Sequence, residues 1–76
     1  MTREEKKKEV KDLLQYVDIT PLSNRQRKVL SFRYDGEGNE IRTLKDIGKE
    51  FGVGKERIRQ IQEAALRKLR FYRGKA

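Results

Sequence analysis

The chain has 76 residues, 34% hydrophobic and 42% charged, with 20 Lys and Arg against 12 Asp and Glu, for a net charge of +8. One small domain with a modest core fits that length, and so basic a balance points to a polyanion, nucleic acid or an anionic membrane surface. Cysteine and histidine are absent, which excludes disulfides, thiolate or imidazole metal sites and the commonest general base.

The opening "MTREEKKKEV" is too charged for a signal peptide. No apolar run approaches the roughly 20 residues that span a bilayer. The expectation is a soluble, cytoplasmic protein without a membrane partner. Charge is uneven along the chain. Residues 1–43 carry ten basic and eight acidic side chains, and residues 44–76 carry ten and four. The second part is where a polyanion should bind.

The first predicted helix runs from about Arg3 to Val17. Thr2 and Glu5 form a capping-box pattern at its start. Val10, Leu13, Leu14 and Val17 follow the i, i+3, i+4, i+7 spacing of an amphipathic helix. Pro21 disfavours helix at Thr20 and breaks the chain there. A second helix starts after Ser23, with Gln26 completing another capping box, and ends near Tyr34. "DGEGN", residues 35–39, reads as a turn, with Ile41 as an apolar anchor behind it.

The third helix opens at Thr43, with Asp46 three residues on. Leu44, Ile47 and Phe51 form its apolar stripe, and Gly52 suits a left-handed end. The fourth runs from about Lys55 to Tyr72. Ile58, Ile61, Ala65, Leu69 and Tyr72 share one arc of it, and Lys55, Glu56, Arg59, Gln60, Glu63, Arg67 and Arg70 the opposite arc. Leu66 fits neither arc and should touch another helix or a partner.

The last two segments have the spacing of a helix-turn-helix. Closely crossing helices need a small residue at the contact, and Gly48 supplies it. The turn needs a residue that tolerates positive φ, and Gly52 supplies that. Val53, Ile58 and Ile61 are placed to lock the pair. Polar groups must then face outward at the start of the second helix, where base edges are reached. Lys55, Glu56, Arg59 and Gln60 meet that demand. Taken singly, each feature reads as a solvated face or a plain helix end; in one shared register they point to DNA. The expected fold is all-α, a small four-helix domain with a C-terminal helix-turn-helix at about 43–72.

"TLKDIGKEFGVGKERIRQIQEAALRKLR", residues 43–70, resembles the C-terminal promoter-reading domain, region 4, of bacterial RNA polymerase sigma factors of the primary or stationary-phase class. "LSNRQRKVLSFRY", residues 22–34, is similar to that family's "LTxREAKVLRMRF". The resemblance makes residues 22–76 the region 4 part and residues 1–21 an N-terminal helix and connector, in one compact domain.

It implies that Lys55, Glu56, Arg59 and Gln60 face the bases of the minus-thirty-five promoter element. Arg25, Arg33, Thr43 and Arg57 would hold the DNA backbone. The chemistry suits this, since Arg reads guanine, Glu accepts from cytosine and Gln suits adenine. The resemblance further implies docking on the flap of the polymerase β subunit, through Leu13, Leu14, Val17, Leu30 and Phe32. It implies that Arg67, Lys68 and Arg70 meet transcription activators, and anti-sigma factors are further partners of the class. No cofactor and no catalysis are implied, and the isolated domain should be monomeric.

The chain departs from the family at several positions. Lys55 stands where Arg is usual, and lacks the bidentate fork. Gly54 stands where a hydroxyl residue is usual, and Gln62 and Ala64 replace residues usually charged. A whole sigma factor has further domains, so the expectation is a piece of one with an added start Met, or a stand-alone protein reusing region 4. The alternatives in function are a helix-turn-helix regulator without a polymerase role, and a sigma-like module that binds only the flap.

Overall fold

Capping chemistry sets the helix starts. The computed structural model describes residues 1–76 and contains α1 (Arg3–Leu14), α2 (Asn24–Arg33), α3 (Leu44–Phe51) and α4 (Lys55–Arg73). The all-α expectation is borne out. Ser23 and Gln26 form the full reciprocal box: the Ser23 hydroxyl accepts from the Gln26 N–H at 3.1 Å, and the Gln26 amide oxygen accepts from the Ser23 N–H at 2.9 Å. Thr43 caps α3 by accepting from the Asp46 N–H at 3.1 Å. At Thr2 only half of the box forms. Its hydroxyl accepts from the Glu5 N–H and donates to the Glu5 carboxylate, which therefore caps no backbone N–H.

α1 is shorter than its apolar spacing predicts, ending at Leu14 and not at Val17. Beyond Leu14 the chain tightens to i→i−3 bonds, Tyr16 to Leu13 at 3.0 Å and Val17 to Leu14 at 3.3 Å. The freed carbonyls find side-chain donors. The Thr20 hydroxyl donates to the Tyr16 carbonyl at 2.6 Å. Arg27 donates to the Val17 and Thr20 carbonyls, both at 3.2 Å. A cation on helix-end carbonyls is favourable on dipole grounds as well.

Helix α4 packs against all three other helices. It divides the core into two clusters. One joins Val10, Leu13, Leu22, Leu30 and Tyr34 to Ala65, Leu66 and Leu69. The other joins Val29 and Ile47 to Ile58 and Ile61, flanked by Phe32, Leu44, Phe51 and Val53. Leu66, outside both arcs of the helical wheel, is therefore a core residue on the α1 side. Buried apolar surface of this kind supplies most of the stability of short helices.

The helix-turn-helix closes as the spacing predicts. Gly52 has φ 71° and ψ 28°, the left-handed conformation. The Val53 N–H donates to the Gly48 carbonyl at 2.9 Å and the Gly52 N–H to the Lys49 carbonyl at 3.4 Å. These two bonds make a Schellman end, which satisfies carbonyls that α3 would otherwise leave free.

The 34–41 loop differs from expectation at Ile41. Its side chain is exposed, so it anchors nothing. Its backbone N–H does the fastening instead, donating to the Arg33 carbonyl at 2.8 Å. The Asp35 carboxylate accepts from the Glu37 N–H, the Asn39 N–H and the Asn39 amide, each at 2.9 Å. Those bonds, led by Asn39, hold its carboxyl below the usual carboxylate range. Gly38, at φ 86°, lies so close to α1 that an added Cβ would be 2.5 Å from the Lys7 carbonyl oxygen.

The Tyr34 hydroxyl is buried without a hydrogen-bond partner, and burial raises its pKa. A folded-state value above the unfolded one gives stability that is full below the ordinary Tyr range and is lost as pH rises from there through the raised folded-state value. Tyr34→Phe is expected to stabilise the domain by about 1 kcal/mol, by removing an unsatisfied polar group. It should also flatten the alkaline loss of stability. Thermal melts at neutral and alkaline pH measure both, and a lower melting temperature at neutral pH would refute the prediction.

Candidate nucleic-acid interface

The first turns of α4 divide cleanly between core and solvent. Ile58 is fully buried and Ile61 nearly so. Lys55, Glu56, Arg57, Arg59 and Gln60 are all exposed. The apolar pair thus holds α4 against α2 and α3 while the polar side chains project from the outer face. Gly54, which precedes α4, is extended, makes no side-chain cap and has open space around it. The missing hydroxyl of the family pattern is a missing cap bond, worth only a few tenths of a kcal/mol relative to Ser.

Within this face Arg59 donates from Nε to Glu56 Oε1 at 2.9 Å, and its Nη2 pairs with the same oxygen. The bonded Arg59 holds the Glu56 carboxyl below the usual carboxylate range, and Glu56 raises Arg59 in turn. Arg57 Nη1 reaches Gln60 Oε1 at 3.4 Å. Lys55 enters none of the ion pairs. Arg25, from α2, rims one cleft of about 200 Å³ together with Arg57 and Gln60. Two helices therefore bring three of the expected DNA-facing side chains to one place. Thr43 is exposed at the start of α3, with its hydroxyl oxygen accepting the cap bond.

Arg33 is placed differently from the other expected backbone contacts. Only 14% of its side chain is exposed. Its Nε donates to Gln62 Oε1 at 3.2 Å, its Nη1 to the Arg42 carbonyl at 2.6 Å, and its Nη2 pairs with Glu40. The guanidinium is thus committed to a joint between α2, α4 and the loop. The same joint gives Gln62, which is buried, its partner. Arg42, which the motif reading passed over, continues the brace: it pairs with Glu50 at 3.2 Å and lies 4.9 Å from the Phe32 ring centroid. No local spacing announces that pair, because it runs from a loop to the far end of α3.

The expected protein-contact residues are scattered. Leu13 and Leu30 are core residues, which leaves them no surface for a partner: Leu13 is 0% exposed and Leu30 3%. Leu14 and Val17 are half-buried beside the first cluster, whereas Phe32 flanks the second. They do not form one patch. Phe32 packs edge-on against Phe51, with ring centroids 5.6 Å apart. Arg70 pairs with Glu9 at 2.8 Å, and Lys68 donates to the Pro21 carbonyl at 3.3 Å and to Gln26 Oε1 at 3.2 Å. Arg73, also passed over, pairs with Asp12 at 2.9 Å. These cations fasten α1 and its connector to α4. Arg67 is exposed and takes part in no ion pair.

This arrangement defines a helix-turn-helix domain with a basic, outward-facing second helix. Residues 19–70 match the family described as Sigma-70, region 4. The chain belongs to that family. It is 50% identical over 52 residues to the RNA polymerase sigma factor SigA of Clostridium acetobutylicum. The aligned stretch covers 68% of this chain and 14% of that protein's length. No solved structure matches the chain. No helix is long and apolar enough to cross a membrane.

Proposed function

We propose that the domain reads the minus-thirty-five promoter element in the cytoplasm, as the region 4 part of a sigma factor that directs polymerase to promoters. One observation carries this reading. Lys55, Glu56, Arg59 and Gln60 share the exposed face of the first turns of α4, with Arg25 and Arg57 beside them. A recognition helix in the major groove presents its N-terminal side chains to base edges in this way. Arg25 and Arg57 take phosphates, and such contacts fix register and give salt-dependent affinity. Arg59 takes guanine, Glu56 cytosine and Gln60 adenine. Lys55 supplies charge without a fork and serves a phosphate better than a guanine edge.

The polymerase β flap is the proposed protein partner. With Leu13 and Leu30 in the core, the half-buried Leu14, Val17 and Phe32 remain for it. Phe32 lies with Phe51 in a cleft rimmed by Arg25, Lys28 and Glu50. Of the proposed activator contacts, Arg67 is the one without an internal partner.

Binding to duplexes carrying the consensus or a scrambled element, at physiological salt, tests the reading. The wild-type domain should prefer the consensus. Arg59→Ala should reduce that preference by roughly ten- to a hundredfold, with an unchanged melting temperature. Equal wild-type affinity for both duplexes would defeat the proposal.

A further inference from the structure

We infer that Glu56 acts on DNA recognition through Arg59, as a built-in counterion that withholds Arg59 from phosphates and so sharpens discrimination. The inference rests on the reading of α4 as the DNA-facing helix, and adds a regulatory role within that same face.

The ion pairs of the domain fall into two kinds. Lys11–Glu37, Arg33–Glu40, Arg42–Glu50, Arg70–Glu9 and Arg73–Asp12 each join separate elements of the fold. Glu56–Arg59 alone lies within one helix, on its outer face, and fastens nothing. The fold does not need it. Two N–H groups of Arg59 converge on a single oxygen of Glu56, which turns the guanidinium toward that carboxylate. The residues are three apart and so share one side of the helix. Glu56 also lies in the first turn, where the helix dipole favours an anion. Of the charges beyond the pair, Lys55 acts on Glu56, and Glu63, one turn on, acts on Arg59.

The consequence differs between the two kinds of DNA contact. A phosphate that captures Arg59 leaves the Glu56 carboxylate next to an anion, so the exchange satisfies one partner and repels the other. A base edge presents neutral acceptors on guanine, and an amino donor on cytosine. Arg59 and Glu56 can turn to that edge together, and both keep a partner. The pair thus penalises phosphate-only binding and tolerates base reading, a repulsive element against the wrong mode. Lys55, Arg57 and Arg25 carry no such carboxylate, so phosphate contacts fall to them.

The test is Glu56→Gln, alone and in an Arg59→Ala background, with scrambled duplex titrated across a salt series. Unchanged melting temperatures establish folding. The single variant should bind scrambled duplex more tightly than wild type, with a log–log salt slope steeper by about 0.9, equivalent to one added phosphate contact. Its preference for the consensus should fall. In the Arg59→Ala background the same change should leave the slope where it was. An unchanged scrambled-duplex slope in the single variant would overturn the inference. So would an equal steepening without Arg59, which would reduce the effect to plain charge repulsion. Because these readouts use scrambled duplex, they stand apart from the promoter preference that tests the proposed function.

Discussion

Gly48→Val is expected to dismantle the helix-turn-helix. Gly48 is buried in the middle of α3, where α3 meets the start of α4. A Cβ placed there would be 2.5 Å from the Val53 carbonyl oxygen and 3.3 Å from the Gly54 carbonyl carbon. Both are backbone atoms, so no rotamer change relieves the clash. The Val53 N–H in turn donates to the Gly48 carbonyl at 2.9 Å, so moving the turn away breaks the end of α3. Overpacking typically costs about 1–3 kcal/mol, and a clash against backbone should lie at the upper end or beyond. Gly48→Ala should already lower the melting temperature, and Gly48→Val should abolish cooperative melting and DNA binding together. Gly52→Ala tests a separate cause. Space there is open, but φ is 71°, so the cost is the left-handed strain of roughly 1–2 kcal/mol. A wild-type melting temperature for Gly48→Ala would refute the packing argument.

That contrast shows what was legible in the sequence. Gly48 and Gly52 could be assigned distinct tasks because the motif demands a small residue and a left-handed residue at different positions. Ser23 and Gln26, and likewise Thr43, were legible because capping is a local bond between residues three apart. The buried faces of α3 and α4 were legible because helical period converts spacing into direction. What spacing does not encode is the partner of a charge. Arg70 looks like any exposed basic residue until Glu9, sixty-one positions earlier, is placed beside it. Arg33 matches a phosphate-binding pattern in type, yet its donors go to Gln62, Arg42 and Glu40. The end of α1 was missed for a similar reason. Apolar period continues to Val17, but Arg27 and Thr20 offer its carbonyls other donors.

The second large effect is expected at Ile58, where scaffold and reader meet. Ile58 is fully buried among Val29, Ile47 and Ile61, one residue before Arg59 on α4. Ile58→Ala should cost about 2–5 kcal/mol, the span set by how far the cavity collapses. A chain of 76 residues has a total stability of about 4–11 kcal/mol at roughly 0.05–0.15 kcal/mol per residue. The substitution therefore removes a large fraction of it, whereas Ile58→Val should cost only about 0.5–1.5 kcal/mol. The loss should be partly recoverable by ligand. A duplex that binds only the folded state adds about 2.7 kcal/mol at a hundred times its Kd, so consensus duplex should raise the melting temperature of Ile58→Ala substantially. Arg59→Ala should behave in the opposite manner, melting like wild type alone and gaining less from the duplex. Melting each variant with and without DNA thus separates the residue that holds the recognition helix from the residue proposed to read with it. If Ile58→Ala kept wild-type stability, the second cluster would not be what fastens α4.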